Sequence, residues 1–257
     1  IRDRWAMACL VAAGVLVVSP CRAQDLTPWS VAYTAERADA TVAGLTQRWR
    51  TDRATLGWAV PDVGGWQGVV ERHQRLGREE WTAATRGYVR RRDWTYSAGV
   101  GGSERPTFLY RVLGEAGVSR RVAGTVVATL DYRYLSYSAT TIQQWQPAVT
   151  WYHRRGEVGG RVFRTRDSTR GRTNDSVLVH AIHDLSSRVR LSGGVAAGTR
   201  IYDVVSLPDA SARSRVAFVN VRLGVTRHDF VDAGVTTATE APDFNYRSFT
   251  VGYRRAF

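Results

Sequence analysis

Two groups of polar residues in this sequence have types and spacings that suit chemistry. Glu71, His73 and Arg75 alternate along one segment, so on a β-strand they share a face. That arrangement suits acid–base work, and a solvated structural wall is the alternative. His180 and His183 resemble part of a metal site, but on a strand they point to opposite faces and cannot bind one ion together. The sequence therefore predicts no metal site there.

A third polar pair lies between two tyrosines. Asp131 and Arg133 share one face of a predicted strand, and Tyr132 and Tyr134 share the other. If the tyrosines face lipid, the carboxylate and the guanidinium are neighbours on the inside of the protein. We interpret the pair either as a polar site or as a structural ion pair that fills the interior.

Composition excludes several reaction classes. The sequence has 36 Lys plus Arg, and all of them are Arg, so no Schiff base to a cofactor and no phosphate-binding P-loop lysine is possible. Both cysteines, Cys9 and Cys21, precede residue 22, so the remainder holds no zinc ribbon and no thiol nucleophile. We predict no catalytic residue, no cofactor and no metal, and hence a protein that is not an enzyme.

The first 23 residues predict a secretory signal peptide. Arg2 and Arg4 precede an apolar run at 6–18, and the small residue Ala23 ends the segment. The run is too short to cross about 30 Å of hydrocarbon as a helix. We expect cleavage after Ala23, so that the mature chain begins at Gln24 and one domain covers residues 24–257.

The rest of the chain has a hydrophobic period of two. From 217 to 225 the odd positions are apolar and most even positions are polar or small, and no stretch has a sustained helical period. Similar segments recur between clusters of Gly, Asp, Asn, Pro and Arg that predict turns. The predicted strands are 29–36, 41–50, 66–76, 79–90, 93–101, 109–118, 124–137, 142–153, 157–166, 176–184, 188–201, 214–227, 230–239 and 245–257. The longest predicted loops are 166–175 and 203–214.

Aromatic residues distinguish a membrane barrel from a soluble sandwich. Trp81, Trp94, Trp145, Trp151 and Tyr253 lie near predicted strand ends on the apolar face, where a membrane barrel carries its aromatic girdles. A sandwich would bury that face in its core. We therefore predict an all-β fold, an antiparallel transmembrane up-and-down β-barrel of 12–14 strands with both termini in the periplasm.

The C-terminal strand carries an assembly signal. Phe249, Val251, Tyr253 and the terminal Phe257 stand at alternate positions, the pattern read by the barrel-assembly machinery of the outer membrane. Arg255 departs from that pattern, but an arginine near the interface can extend its head group to water.

The chain resembles the YaiO-type outer-membrane β-barrel family. The resemblance rests on the strand Leu130-Asp131-Tyr132-Arg133-Tyr134-Leu135-Ser136-Tyr137 and on Gln144-Trp145-Gln146 in the next strand. The strand at 94–100, with Pro106 in the loop after it, is also similar. The resemblance covers residues 28–257 and implies an outer-membrane barrel, without an activity to carry over.

A lumen lined with arginine predicts a narrow passage for small anionic solutes, because arginine-lined pores favour anions. The residues predicted to face the lumen are Arg86, Asp131, Arg133, Arg164, Arg190, Asn220 and Arg222. Two other functions stay open: a barrel enzyme acting on outer-membrane lipid, and an accessory barrel for surface-polysaccharide export.

The formal net charge of +13 also suits nucleic acid. Export argues against that partner. The consecutive arginines at 90–92 and 120–121 lie at predicted strand ends, where arginine can bind lipid phosphates. We expect outer-membrane lipid, lipopolysaccharide and the barrel-assembly machinery as partners, and no nucleic acid. The sequence does not predict the oligomeric state.

Overall fold

The computed structural model describes residues 28–42, 44–75, 77–169, 171–199, 213–240 and 244–257. The predicted signal peptide at 1–23, its cleavage site and most of the predicted loop 203–214 lie outside these described residues. Within the described ranges, no helix is long and apolar enough to cross a membrane.

The described residues form fourteen antiparallel strands, each paired with its sequence neighbours. They are β1 Trp29–Val42, β2 Leu45–Val60, β3 Gly64–Arg75, β4 Arg78–Arg91, β5 Trp94–Ser103, β6 Val112–Ala123, β7 Val126–Ser136, β8 Thr141–His153, β9 Gly156–Asp167, β10 Arg172–Asp184, β11 Val189–Thr199, β12 Arg213–Gly224, β13 Asp229–Glu240 and β14 Phe244–Ala256. Strand β1 also pairs with β14, which closes the barrel and leaves no sheet edge. The predicted up-and-down barrel of 12–14 strands is confirmed.

Tight glycine turns explain how the strands reverse at one end of the barrel. Gly44, Gly77 and Gly171 have φ of 80°, 71° and 62° in the connections after β1, β3 and β9. Such positive φ values suit short hairpin turns, and glycine adopts them without a steric penalty. We call the end of the barrel where β1 begins and β14 finishes the terminal end, and the opposite end the far end.

The alternation of side chains divides each strand between an apolar outside and a polar inside. On β12, Val219 is 48% exposed on the outer face, while Asn220 and Arg222 lie on the inner face. The aromatic residues predicted on the apolar face are also outward, and Trp151 is 52% exposed. This is the reverse of a water-soluble sheet, because the large apolar side chains are the exposed ones.

Several element boundaries differ from those predicted, among them those of β2, β6 and β10. Strand β2 runs to Val60, ten residues past the end of the predicted segment 41–50. Residues 172–175 belong to β10, so the connection after Asp167 is short and the predicted long loop at 166–175 is wrong. Strand β6 begins at Val112 instead of 109, because the residues before it leave the barrel wall and fold inward.

Candidate functional site

An ionic network lines the inner wall of the barrel from β4 to β9 and centres on Asp131. The Asp131 carboxylate lies 2.8 Å from Nη1 of Arg161 on β9 and 3.7 Å from Nη2 of Arg86 on β4. Arg161 also donates to Oε1 of Gln146 at 2.6 Å, and Arg86 donates to Ser97 Oγ at 3.2 Å. Because one strand separates β7 from β9 and two separate β7 from β4, these contacts run along the inner wall of the barrel, with Ser97 on β5 and Gln146 on β8 between the charged groups.

Gly117 makes room for the Asp131 carboxylate. It lies opposite Asp131 on β6, and a Cβ placed there would collide with Oδ1 of Asp131 and would lie 2.7 Å from Ser97 Oγ. The position therefore accepts no larger residue without displacing the carboxylate.

Three other predicted lumen arginines each contact a carboxylate on the inner face. Arg133 lies 2.7 Å from Glu115, Arg190 lies 2.6 Å from Asp184, and Arg222 lies 2.7 Å from Asp232. Asp131 and Arg133 therefore share the inside of the barrel but do not pair with each other, which corrects the ion pair considered from the sequence. The guanidinium charges that were expected to attract anions are largely compensated in place.

Arg164 is not in the lumen, which corrects the sequence prediction. It lies an even number of residues from Val158 and Val162 on β9, so it faces outward with them, and both valines are 41% exposed. Arg161 and Thr165, at the alternate positions, face inward. Asn220 faces inward opposite Gly234, where the lack of a side chain leaves room for its amide.

The residues suited to acid–base work form a buried cluster on the inner face of β2–β4. Glu71 pairs with Arg53, and its other carboxylate oxygen lies 3.3 Å from Nε2 of His73. Thr82 donates to the same oxygen at 3.2 Å. The Glu71 carboxylate is thus surrounded by donors, as expected for a structural ionic cluster.

The connection between β5 and β6 folds into the lumen, where Glu80 holds it. We call residues 106–110 the inward segment. The Glu80 carboxylate accepts hydrogen bonds from the backbone N–H of Thr107 at 2.6 Å, of Phe108 at 3.2 Å and of Leu109 at 3.1 Å. Glu80 is 6% exposed and Phe108 is 1% exposed, so a buried charge and three backbone donors satisfy one another.

Tyr110, the last residue of the inward segment, lies close to the ionic cluster of Glu71. Burial, and next the nearby charge of Glu71, raise the pKa of Tyr110 to about 12. The phenol therefore stays neutral and able to donate. It packs with Leu113, Leu135 and Ile142 on the inner face near the far end.

Apolar side chains occupy the other side of the lumen near the far end. Trp49 and Tyr246 lie 6.0 Å apart, ring centroid to centroid, and Phe244 stacks on Tyr246. The guanidinium of Arg75 bridges the two sides, because it lies 4.8 Å from the Trp49 ring and 5.6 Å from the Phe108 ring. The inward segment and this apolar cluster together narrow the lumen.

The residues of the predicted assembly signal face outward on β14 and directly after it. Phe249, Val251, Tyr253 and Phe257 are 43–53% exposed. The backbone N–H of Phe257 donates to the carbonyl oxygen of Trp29 at 2.9 Å, so the last residue helps to close the barrel. Its recognition by the assembly machinery stays a prediction.

Sequence reasoning missed Glu80, the inward segment and the carboxylate partners of the arginines. Glu80 follows Glu79 in a strand, and nothing in that pair distinguishes the buried carboxylate from the outward one.

In the described part of the chain, no group of three or more His, Cys, Asp or Glu is placed to hold a metal ion. His180 lies 3.8 Å from Glu157, and His183 stacks on His153 on the outer face.

Comparison with known proteins gives the fold. No family model matches the chain, and no curated protein matches it. Among solved structures, it is similar to a bacterial polysaccharide outer membrane secretin, with a TM-score of 0.62, 10% identity and coverage of 91% of this chain and 100% of that one. It is also similar to the outer membrane protein Omp33 of Acinetobacter baumannii, with a TM-score of 0.58, 10% identity and coverage of 90% and 99%.

A third similar structure is the CymD monoaromatic hydrocarbon channel, with a TM-score of 0.57, 9% identity and coverage of 90% of this chain and 89% of that one. At these identities the likeness concerns architecture. The chain has the fold of outer-membrane β-barrels along nearly its whole described length.

Proposed function

We propose that this protein is a non-enzymatic outer-membrane barrel that passes small solutes through a narrow lumen. The inward segment is the main support for a narrow lumen, because a barrel of fourteen strands without it would enclose a wider interior. The polar wall around Asp131 supports an aqueous path, since water-filled barrels carry polar and charged side chains on the inner face. The similar barrel CymD is a monoaromatic hydrocarbon channel, and its likeness in fold agrees with this proposal.

The charge of the lumen wall limits the selectivity of this passage. The sequence alone favoured anions, but Arg86, Arg133, Arg190 and Arg222 each have a carboxylate within 4 Å. Arg254 also faces the lumen near the terminal end, close to Arg222 and Arg190, and adds positive charge there. We therefore propose a small anion preference, set at the terminal end, for a passage that admits uncharged solutes as well.

Conductance in a planar lipid bilayer tests the proposal. The purified full chain is expected to give small unitary steps, and its reversal potential in a KCl gradient is expected to lie slightly towards the chloride potential. A lipid-hydrolysis assay on the same sample tests the enzyme alternative. Absence of unitary steps at all voltages, with a folded barrel verified by its heat-modifiable migration, would contradict a passage.

Membership of the YaiO-type family is also a proposal, and it rests on the strand at 130–137 and the Trp145 strand. So is export through a cleaved signal peptide. N-terminal sequencing of the outer-membrane fraction is expected to begin at Gln24. Recovery of the chain in the cytosol, or retention of residues 1–23, would contradict it.

A further inference from the structure

The lipid-facing side of β1–β4 carries charged side chains near the far end. In one row across the sheet, Arg37, Arg50, Gln74 and Glu79 are register neighbours; in the next row, Asp52 and Arg72 are neighbours. All six occupy positions whose side chains face outward in the alternation of their strands. Arginine on the lipid face of a barrel costs roughly 2–4 kcal/mol at the bilayer midplane but about 0–1 kcal/mol near the interface. These rows therefore mark the polar boundary of the membrane at the far end.

The carboxylates in these rows hold neighbouring guanidinium groups in place. Asp52 accepts from the Tyr33 hydroxyl at 2.9 Å and lies 2.6 Å from Nε of Arg50. Glu79 accepts from Arg72 at 2.6 Å and also from the Trp81 indole at 3.1 Å.

The basic groups outnumber the acidic ones on this surface. Among the arginines of this surface that pair with a carboxylate, Arg37 has the most exposed side chain, at 50%. Its guanidinium lies 3.6 Å from Asp52. The outward charged residues on β14 and β1–β4 in this region are Arg37, Arg48, Arg50, Arg72 and Arg247 against Asp39, Asp52 and Glu79. The surface therefore has a surplus of positive charge beside the membrane.

An apolar groove of about 800 Å³ begins directly below these rows. Ala54 follows Asp52 by two residues, Val70 precedes Arg72 by two, and Ala83 follows Trp81 by two, so each is the next outward residue on its strand. The groove is lined by the small residues Ala54, Gly68 and Ala83 and by larger apolar ones, namely Val31, Leu56 and Trp66.

We propose that this surface binds a phosphorylated glycolipid of the outer leaflet, a lipopolysaccharide, with its phosphates on Arg37, Arg48 and Arg50 and an acyl chain in the groove. Guanidinium groups bind phosphate oxygens in bidentate geometry. An amphiphile is the one ligand class whose charged and apolar parts match a basic cluster that adjoins an apolar groove within a membrane. With the termini in the periplasm, the far end lies at the outer leaflet, where such glycolipids reside. This inference does not depend on solute passage.

Binding of a fluorescent bisphosphorylated lipid A to the full chain in maltoside micelles tests the proposal by anisotropy. The double variant Arg37→Gln/Arg48→Gln is expected to bind at least about tenfold more weakly, the change that losing one charge-assisted hydrogen bond produces. Ala83→Phe, which fills the groove with an apolar ring, is expected to weaken binding as well. Lipid A stripped of its phosphates is expected to bind as weakly to the wild type as the bisphosphorylated probe binds to the double variant.

Outward positions away from the groove supply matched controls. Arg164→Gln/Arg166→Gln on β9 removes two outward arginines near the same end, and Ala181→Phe on β10 adds a ring to the outer face. Both controls are expected to bind as the wild type does. Equal losses in the control pair, equal binding of the phosphate-free lipid, or equal binding of phosphatidylglycerol would overturn the proposal. So would self-association that Ala83→Phe abolishes in lipid-free micelles, because a second copy would then be the occupant.

Discussion

Removing the Glu80 carboxylate is expected to release the inward segment from the lumen. Glu80 accepts three backbone N–H groups, those of Thr107, Phe108 and Leu109, and it is buried on the inner face of β4. In Glu80→Ala these donors lose their acceptor inside the barrel. Each unsatisfied buried donor costs about 1–3 kcal/mol, so the three together disfavour the inward position by roughly 3–9 kcal/mol.

That penalty acts on the segment and not on the strands. The ladders of β4 with β3 and β5 stay intact, and the freed segment can meet water at the far end, where its N–H groups find new partners. A shift of about 5.5 kcal/mol reverses a 99:1 population, so the penalty is enough to populate a released state. Glu80→Gln keeps one acceptor oxygen and is expected to lie between the wild type and Glu80→Ala.

Hydrogen exchange and conductance measure this release together. Exchange of the amides at 107–109 is expected to accelerate at least about a hundredfold in Glu80→Ala, which corresponds to about 2.7 kcal/mol. Unitary conductance is expected to rise in the same variant. Asp232→Ala, which removes a lumen carboxylate far from the segment, is the control and is expected to leave those amides protected. If Glu80→Ala showed the same amide exchange and the same conductance as the wild type, Glu80 would not be what holds the inward segment in the lumen.

Three further predictions concern the wall of the barrel. Val219→Arg places a charge near the middle of the outer face of β12 and is expected to lower the free energy of unfolding by about 2–4 kcal/mol. Arg222→Gln breaks a partly exposed ion pair inside the barrel and is expected to lower it by about 1 kcal/mol or less. Urea unfolding in lipid vesicles measures both free energies. Asp131→Asn leaves Arg86 and Arg161 without their carboxylate, so the reversal potential is expected to move further towards anion selectivity, and an unchanged potential would place the ionic network outside the conduction path. Deleting Phe257 removes both a backbone hydrogen bond to Trp29 and the terminal aromatic, so the yield of heat-modifiable barrel is expected to fall.

The fold was predictable because strand alternation is a local property of the sequence. Val219, Val221, Asn220 and Arg222 lie on the faces that the period of two assigns to them. Boundaries were less predictable where the alternation weakens. On β2 the apolar alternation is interrupted at Asp52, a charged residue on the outward face, so the predicted strand ended at 50 although Leu56, Trp58 and Val60 continue the outward apolar face.

The contents of the lumen were less predictable, because the partners are distant in sequence. Asp131 meets Arg86 and Arg161 only after the strands from β4 to β9 have paired in register, and no local pattern encodes which inward residues then come within reach of each other. Arg164 was assigned to the wrong face because it lies among arginines on both sides of β9, where polarity no longer distinguishes inside from outside. The inward segment depends on Glu80, some 27 residues before it, and a single buried carboxylate has no sequence signature.

Labelling of single cysteines in reconstituted membranes tests the central claim, a polar lumen inside an apolar outer wall. The mature chain is predicted to contain no cysteine, since Cys9 and Cys21 lie in the predicted signal peptide, so a cysteine placed at each of 219, 220, 221 and 222 reports alone. A water-soluble maleimide is expected to label positions 220 and 222, which face the lumen, and to spare 219 and 221, which face lipid. Uniform labelling, or labelling of 219 and 221 alone, would contradict the barrel's facing and the passage proposed from it.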